Sequence, residues 1–174
     1  MSPPEKEEAE GAFEAWLRAG PTRPAPPPRT PQRLAELCAR ALWAEDHASQ
    51  GLGMRLLRVA PGEAEMAMAV EPRMANGHGL CHGGFIFALA DSAFAFACNS
   101  LNRRSVAQSN SITYLRPARV GDLLTARATR AAEAGRSGVY DVLVTDQEGR
   151  AIAAFRGLSR VIEGHLVPPE ETSP

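Results

Sequence analysis

The sequence predicts an α+β domain in which an antiparallel sheet of five to six strands wraps around one long central helix. Three observations lead to this fold class. The block over residues 83–99 is apolar on nearly every side, which is typical of a helix surrounded by protein. Six strand-like segments flank it, two before and four after. The chain has 174 residues, of which 44% are hydrophobic, so we predict one domain with a single hydrophobic core.

The two ends of the chain differ in composition from its centre. Residues 1–32 hold most of the prolines, which favour extended conformations that bury little apolar surface. We therefore predict a proline-rich mobile tail over 1–32, one folded domain over 33–165 and a C-terminal tail over 166–174.

The folded domain opens with a predicted helix over 32–49, which the glycines at 51 and 53 end. Its apolar residues recur at helical spacing, namely Leu34, Leu37, Cys38, Ala41 and Leu42. Two strands over 54–59 and 64–70 follow. The Pro-Gly turn between them predicts a hairpin.

Beyond the central helix the hydrophobic pattern has period two. Turn residues separate four predicted strands at 106–115, 122–131, 138–145 and 151–162. Consecutive strands with short connections predict an antiparallel meander, and its concave face would hold the central helix.

Charge and cysteine content narrow the function classes. Ten arginines and five acidic residues lie between 101 and 162, so this half could receive an anionic ligand. The arginines are scattered and few aromatics accompany them, which argues against nucleic-acid binding.

The three cysteines form no Cys-x-x-Cys pair, and the acidic N-terminus is unlike a secretory signal. The longest apolar stretch is shorter than the roughly 20 residues of a membrane span. We expect a cytoplasmic protein without membrane contact.

The start of the central helix is the first candidate functional element. If the helix begins near Gly83, its first turn presents unpaired N–H groups at the positive end of the helix dipole, where an oxyanion binds. Gly83 and Gly84 would let an acyl group approach the backbone closely. The alternative is that both glycines only relieve crowding where a loop meets a helix.

Asp91 is the second candidate, because a carboxylate inside an apolar helix is costly to bury unless it is paired or lies at a cleft. It could act as a nucleophile or as a general base, with burial raising its pKa. The alternative is a structural hydrogen bond to a loop or to a neighbouring hydroxyl such as that of Ser92.

The histidines before the glycines have less specific interpretations. His82 could be an ordinary helix cap. His78, Cys81 and His82 lie close enough in sequence to suggest a metal, but adjacent Cys81 and His82 point different ways and no second ligand pair follows. We expect neither a metal nor a cofactor.

Taken together, these motifs resemble one family over about residues 34–164. They are Asn76-x-His78, His82-Gly83-Gly84-x-x-Phe-x-Leu-Ala-Asp91, Ala97-Cys98-Asn99-Ser100, Ile112-Thr-Tyr-Leu-Arg-Pro117, Gly121-Asp122 and Gly138-Val-Tyr-Asp141. The family is that of the hot-dog-fold acyl-CoA thioesterases of the phenylacetic acid degradation type, called PaaI. The resemblance implies a six-stranded sheet around the helix, dimers that join into tetramers, no metal, and substrates such as phenylacetyl-CoA and its hydroxylated relatives.

The resemblance also assigns roles to individual residues. It implies that Asp91 is the catalytic carboxylate, that the Gly83 amide binds the oxyanion, and that His82 and Asn76 make polar contacts near the thioester. Related enzymes often place a serine or threonine at the start of the next strand. Ala107 stands there in this chain, with Gln108 and Ser109 beside it, so the residue that assists the water stays open.

The predicted mechanism polarises the thioester carbonyl at Gly83 while Asp91 attacks it directly or activates a water. The two residues are eight apart on one helix, so their backbones lie roughly 12 Å apart along its axis. If both roles hold, one partner has to come from another subunit. Arg156 and Arg160 are predicted to contact coenzyme A phosphates, unless they only form a solvated strand face.

Two other functions stay open. One is a hot-dog hydratase or dehydratase that uses His82 and Asp91 as an acid/base pair, although the His-Phe-Pro segment that such enzymes share does not occur here. The other is a non-catalytic module that binds acyl-CoA, against which the unpaired carboxylate of Asp91 argues.

Overall fold

The computed structural model describes residues 29–168, so most of the predicted N-terminal tail and residues 169–174 lie outside the described part. The elements in chain order are α1 (Pro31–Glu45), α2 (His47–Gly51), β1 (Arg55–Ala60), β2 (Glu63–Ala69), a short 3₁₀ helix (Pro72–Met74), α3 (Gly83–Asn99), β3 (Ser105–Tyr114), β4 (Leu123–Ala134), β5 (Ser137–Thr145) and β6 (Ala151–Val161). The predicted fold class is confirmed: six antiparallel strands form one sheet around α3.

The first predicted helix is divided in two. Thr30 caps α1 by accepting a hydrogen bond from Arg33 N at 3.1 Å, and Pro31 fits the first turn. The prediction of one helix over 32–49 is wrong at its C-terminal end. Asp46 interrupts it because its carboxylate accepts from Ser49 N at 3.0 Å and caps α2 instead.

The predicted hairpin of β1 and β2 is confirmed. Its two-residue connection contains Gly62 at φ 78°, a conformation that residues with a side chain rarely adopt. Ser100 Oγ, just past the end of α3, accepts from Gly62 N at 2.7 Å. The hairpin is thereby attached to the central helix.

The strand order is β1-β2-β4-β5-β6-β3. The predicted four-strand meander is therefore correct for β4 to β6 but wrong for β3, which pairs with β6 at the far edge. A single strand has only two hydrogen-bonding edges, and β2 and β5 occupy both edges of β4. The connection after β3 crosses the structure, and Gly121 N bonds Val70 O at the end of β2 at 2.9 Å.

The central helix has the predicted bounds and forms the core with the inner face of the sheet. Phe94 packs against Tyr140 and Phe155, with ring centroids 5.5 and 6.0 Å apart. At Gly157 on β6, an added Cβ would lie 2.9 Å from the Phe94 ring, so the glycine allows the helix to lie close to the sheet.

The end of α3 fixes where β3 begins. The buried Asn99 amide donates to Ser105 O at 3.1 Å, and its carbonyl accepts from Ser105 N at 2.9 Å. Because β3 starts at Ser105, this pair of bonds sets which β3 side chains face the middle of α3.

Candidate active site

The N-terminal end of α3 leaves one backbone donor unused. His82 is the N-cap, and its Nδ1 accepts from Gly84 N at 3.0 Å. His82 O accepts from Phe85 N at 3.0 Å. The Gly83 N–H donates to no atom in the described range, so the cap leaves this group free at the positive end of the helix dipole.

The same hydrogen bond fixes the tautomer of His82 and uses the backbone N–H of Gly84. An Nδ1 atom that accepts a hydrogen bond carries no proton, so the neutral imidazole holds its proton on Nε2 and can donate from there. Gly84, predicted to contact substrate, donates its own N–H to His82. Both residues are exposed.

Tyr114 encloses Gly83 from the end of β3. Its hydroxyl donates to Gly83 O at 2.9 Å. A Cβ at position 83 would lie 2.8 Å from the tyrosine ring and hydroxyl, so a side chain there would displace Tyr114. The requirement for glycine thus comes from a close contact as well as from access to the backbone N–H. Partial burial also raises the pKa of the Tyr114 phenol above its ordinary value.

Asn76 organises the loop that precedes α3. Its Oδ1 accepts from His78 N at 2.9 Å and from Leu80 N at 3.2 Å. Its Nδ2 donates to nothing in residues 29–168, and Asn76 lines a cleft of about 400 Å³ together with Gly83 and Tyr114. The cleft therefore has two candidate donors for a carbonyl oxygen, a backbone N–H and a side-chain amide.

Asp91 is half-buried in the middle of α3. Its Oδ1 accepts from Asn110 Nδ2 on β3 at 2.7 Å. Burial raises the pKa of the Asp91 carboxyl, and the hydrogen bond from Asn110 opposes that rise. Ser92, an alternative partner on sequence grounds, bonds Ser49 Oγ at 2.8 Å instead.

Asn110 is the main residue that the sequence did not indicate. Residues 107–109 drew attention as possible helpers, but a bulge between Ala107 and Ser109 leaves Gln108 without a pairing partner. Beyond the bulge, Asn110 and Ile112 are the partly buried positions of the strand. A sequence signal for Asn110 would be an amide at a position of β3 that faces α3. The bulge shifts the period-two alternation after Ala107, so a regular pattern does not identify Asn110 as such a position.

One chain does not bring all the predicted residues together. Asn76, His82 and Gly83 gather at the start of α3, whereas Asp91 lies two turns further along an unbroken helix, roughly 12 Å away at about 1.5 Å per residue. Asp91 is not among the residues that line the cleft at Gly83.

The two predicted phosphate contacts lie on the outer face of the sheet. Arg156 and Arg160 are exposed and alternate along β6 with residues that face α3. Arg156 forms a two-point ion pair with Asp141, at 2.7 and 2.8 Å. Arg160 bonds the Ser137 hydroxyl at 3.3 Å, and no acidic group pairs with it in the part of the chain that the structure describes.

The cysteines are poor metal ligands or nucleophiles in this fold. All three are buried, and burial raises the pKa of each thiol, that of Cys98 to about 12. Among residues 29–168, no group of three His, Cys, Asp or Glu side chains could hold a metal ion. Within the same range, no helix is long and apolar enough to cross a bilayer.

Comparison with known proteins gives consistent matches. The family profile described as "Thioesterase superfamily" matches residues 78–153. Acyl-coenzyme A thioesterase PaaI of Escherichia coli K12 is 41% identical over 128 residues, which cover 74% of this chain and 91% of that protein. The solved structure of the E. coli PaaI protein from the phenylacetic acid degradation operon superposes with a TM-score of 0.77 at 39% identity, over 78% of this chain and 99% of that one.

A more distant match was solved with coenzyme A. It is a hypothetical thioesterase of Streptococcus pneumoniae TIGR4, with a TM-score of 0.62 and 26% identity over 64% of this chain and 90% of that one. These proteins share the sheet and the central helix described above.

Proposed function

Since the chain belongs to the thioesterase superfamily and is an acyl-CoA thioesterase of the PaaI type, we propose that it hydrolyses aromatic or medium-chain acyl-CoA in phenylacetate or related aromatic catabolism. Phenylacetyl-CoA and its hydroxylated relatives are the expected substrates. One observation carries the proposed chemistry: the same helix holds both an unused N–H at Gly83 and, two turns further along, a half-buried carboxylate at Asp91.

In the proposed mechanism the thioester carbonyl oxygen accepts from Gly83 N–H, which stabilises the negative charge that develops there. Asn76 Nδ2 and His82 Nε2–H are further donors near the carbonyl. Asp91 either attacks the carbonyl carbon or takes a proton from a water that does so. Coenzyme A then leaves as the thiolate. A carboxylate and a backbone donor suffice for these steps, so the proposed mechanism uses no metal and no cofactor.

We further propose that each active site is shared between two subunits of a homodimer. A reacting carbonyl must lie about 3 Å from both its donor and its attacking group, which roughly 12 Å of helix does not allow within one chain. Two-fold pairing with antiparallel α3 helices would join Gly83 of each subunit to Asp91 of the other. The edge strand β3 supports this arrangement because it exposes Val106 and Tyr114 and, among residues 29–168, pairs with another strand along only one of its edges.

Dimers are proposed to join into a homotetramer in the cytoplasm. The outer face of the sheet exposes Leu143 and Leu158, which would supply a second apolar contact surface. Light scattering of the purified protein across a concentration series measures the assembly state directly.

The proposed activity is tested by two parallel assays on one preparation. Release of free thiol from phenylacetyl-CoA, hydroxyphenylacetyl-CoA and a series of straight-chain acyl-CoAs measures hydrolysis and ranks the acyl groups. Loss of enoyl absorbance from a 2-enoyl-CoA measures hydration. Thiol release with an aromatic preference supports the proposal. Hydration without thiol release would indicate a hydratase, and tight binding without either reaction would indicate an acyl-CoA-binding module.

The arginines of β6 are the proposed phosphate contacts, and we expect them to contribute unequally. Arg160→Ala should raise KM by about threefold to tenfold with kcat retained, because a charge-assisted bond to phosphate is lost. Arg156→Ala should raise KM less, since Asp141 already compensates the Arg156 charge. Steady-state kinetics in low and high salt measure both. Equal KM values for both variants and the native protein would remove these residues from the binding site.

A further inference from the structure

The side chain of Asn110 is satisfied at only one of its two polar ends. Nδ2 donates to Asp91 Oδ1 at 2.7 Å. Oδ1 is buried and accepts no hydrogen bond from any residue between 29 and 168. Buried polar atoms are nearly always paired in folded proteins, so an unpaired carbonyl oxygen beside the proposed catalytic carboxylate calls for a donor that the fold itself does not supply.

The proposed mechanism directs the donors at the start of α3 toward the thioester carbonyl, so the donor to Asn110 Oδ1 has to come from the remaining groups at the site. Ionised Asp91 only accepts hydrogen bonds. The reacting part of a thioester, a carbonyl oxygen and a sulfur without hydrogen, likewise has nothing to donate. Water donates twice, and hydrolysis consumes one water per turnover.

We propose that Asn110 is a further catalytic residue that holds the attacking water, its Oδ1 accepting one water hydrogen while Asp91 accepts the other. This inference rests on the proposed thioesterase function and names the group that assists the water in it. Two acceptors side by side fix the orientation of a water, because each takes one hydrogen and the oxygen lone pair points away from both toward the thioester.

The fold places Asn110 at this position by two local features. Asn99 ties the end of α3 to Ser105 and so fixes the start of β3. The bulge between Ala107 and Ser109 then shifts the alternation, and Asn110 becomes the inward residue opposite Asp91. Ala107, at the position where related enzymes often carry a hydroxyl, is exposed and has no polar side-chain atom.

The step balances as a general-base reaction. The water oxygen forms a bond to the acyl carbon while its proton passes to the Asp91 carboxylate, and the carbonyl electrons move onto the oxygen bound by the partner subunit's backbone N–H. When the tetrahedral species collapses, the carbon–sulfur bond breaks. The proton on Asp91 then passes to the leaving thiolate. Asn110 is unchanged, and its Nδ2 stays bonded to Asp91 throughout.

The test is Asn110→Leu, which keeps the size of the side chain and removes both polar ends. We expect kcat to fall roughly 100-fold, the scale on which loss of reactant positioning acts, with KM within about threefold of native. The acid limb of the kcat/KM profile should also move to higher pH. Activity requires ionised Asp91, and the variant lacks the donor that lowers the pKa of this carboxyl. The shift of the limb reports the lost Nδ2 bond to Asp91, so kcat is compared on the plateau above the limb, where Asp91 is ionised in both proteins. A fall in kcat that persists on the plateau reports the lost water contact, whereas a role limited to the pKa of Asp91 would leave the plateau kcat native.

Gln108→Leu is the matched control, because it makes the same amide-to-leucine change at an exposed position of the same strand. Its kcat should stay within about twofold of native. If Asn110→Leu does not fold, as judged by its melting curve, Asn110→Ser replaces it. The serine hydroxyl can donate and accept but is shorter, so an intermediate kcat is expected.

A rapid-quench experiment separates the water route from direct attack by Asp91. With native protein and with Asn110→Leu, coenzyme A and free acid should appear together, with no acylated protein in the intact mass. An initial burst of coenzyme A with acylated protein would overturn the proposal, and so would native kcat in Asn110→Leu. Failure of the proposed function looks different, since native protein and Gln108→Leu would then both fail to hydrolyse acyl-CoA.

Discussion

The two ends of the proposed chemistry lie on one helix but are built differently. At the start of α3 the functional group is a backbone N–H at Gly83, in an exposed turn held by the His82 cap and Tyr114. Two turns later it is the Asp91 side chain, half-buried and held by β3. An oxyanion donor uses the unpaired N–H of a helix end, whereas a carboxylate whose pKa is raised needs burial. Because eight residues separate the two groups, roughly 12 Å along the axis, one straight helix cannot present both to a single thioester.

The largest effect is expected at Asp91. Asp91→Asn should lower kcat by at least about 100-fold, because the amide is nearly isosteric but can neither attack nor accept the proton. The fold should remain intact, since the new side chain can still accept from Asn110. Thiol release and circular dichroism on the same sample measure both. A well-folded variant with near-native turnover would remove Asp91 from the mechanism.

At the other end of the comparison, Gly83→Pro should lower kcat by about 100-fold relative to Gly83→Ala, the usual cost of losing one oxyanion donor. The alanine variant is the control because both substitutions press a Cβ against Tyr114, and only proline also removes the N–H. His82 is already extended, at φ −64° and ψ 132°, which suits a residue before proline. Equal activities of the two variants would place the oxyanion donor elsewhere.

Substitutions at the two ends should also change the melting temperature, by less than they change activity and in opposite directions. Burial raises the folded-state pKa of Asp91, so the folded protein binds more protons than the unfolded chain between the ordinary carboxyl pKa and the raised one, and stability falls as pH rises through that window. Asp91→Asn should therefore raise Tm at neutral pH, with the gain vanishing below the ordinary carboxyl pKa. Gly83→Ala should lower Tm at every pH, because the contact with Tyr114 is steric. Thermal melts at several pH values distinguish the two patterns.

Much of the fold was readable from the sequence because local signals agreed with one another. The all-round apolar block defines α3 to the residue, and the Pro-Gly turn predicts the first hairpin. What failed depended on competition between distant elements. The position of β3 follows from β2 occupying the edge of β4, and no pattern within β3 reports that. The break at Asp46 depended on whether its carboxylate would cap a second helix.

The sequence predicted those site residues whose type is unusual for their predicted element. Asp91 in an apolar helix and two glycines at the helix start were conspicuous in the sequence. Asn110 was not, because an asparagine in a polar strand is unremarkable until the bulge turns it toward Asp91. The contact of Tyr114 with Gly83 joins residues 31 apart in sequence and likewise needed the three-dimensional structure.

The shared active site is tested most directly by mixing two inactive variants, Asp91→Asn and Gly83→Pro. Each mixed dimer would contain one site with both groups intact and one with neither. With equal amounts and random reassembly, half of the dimers are mixed, so about a quarter of native activity should return. Native mass spectrometry of an isotope-labelled partner measures how far the subunits have exchanged. Full exchange without activity above that of either variant alone would contradict the shared site.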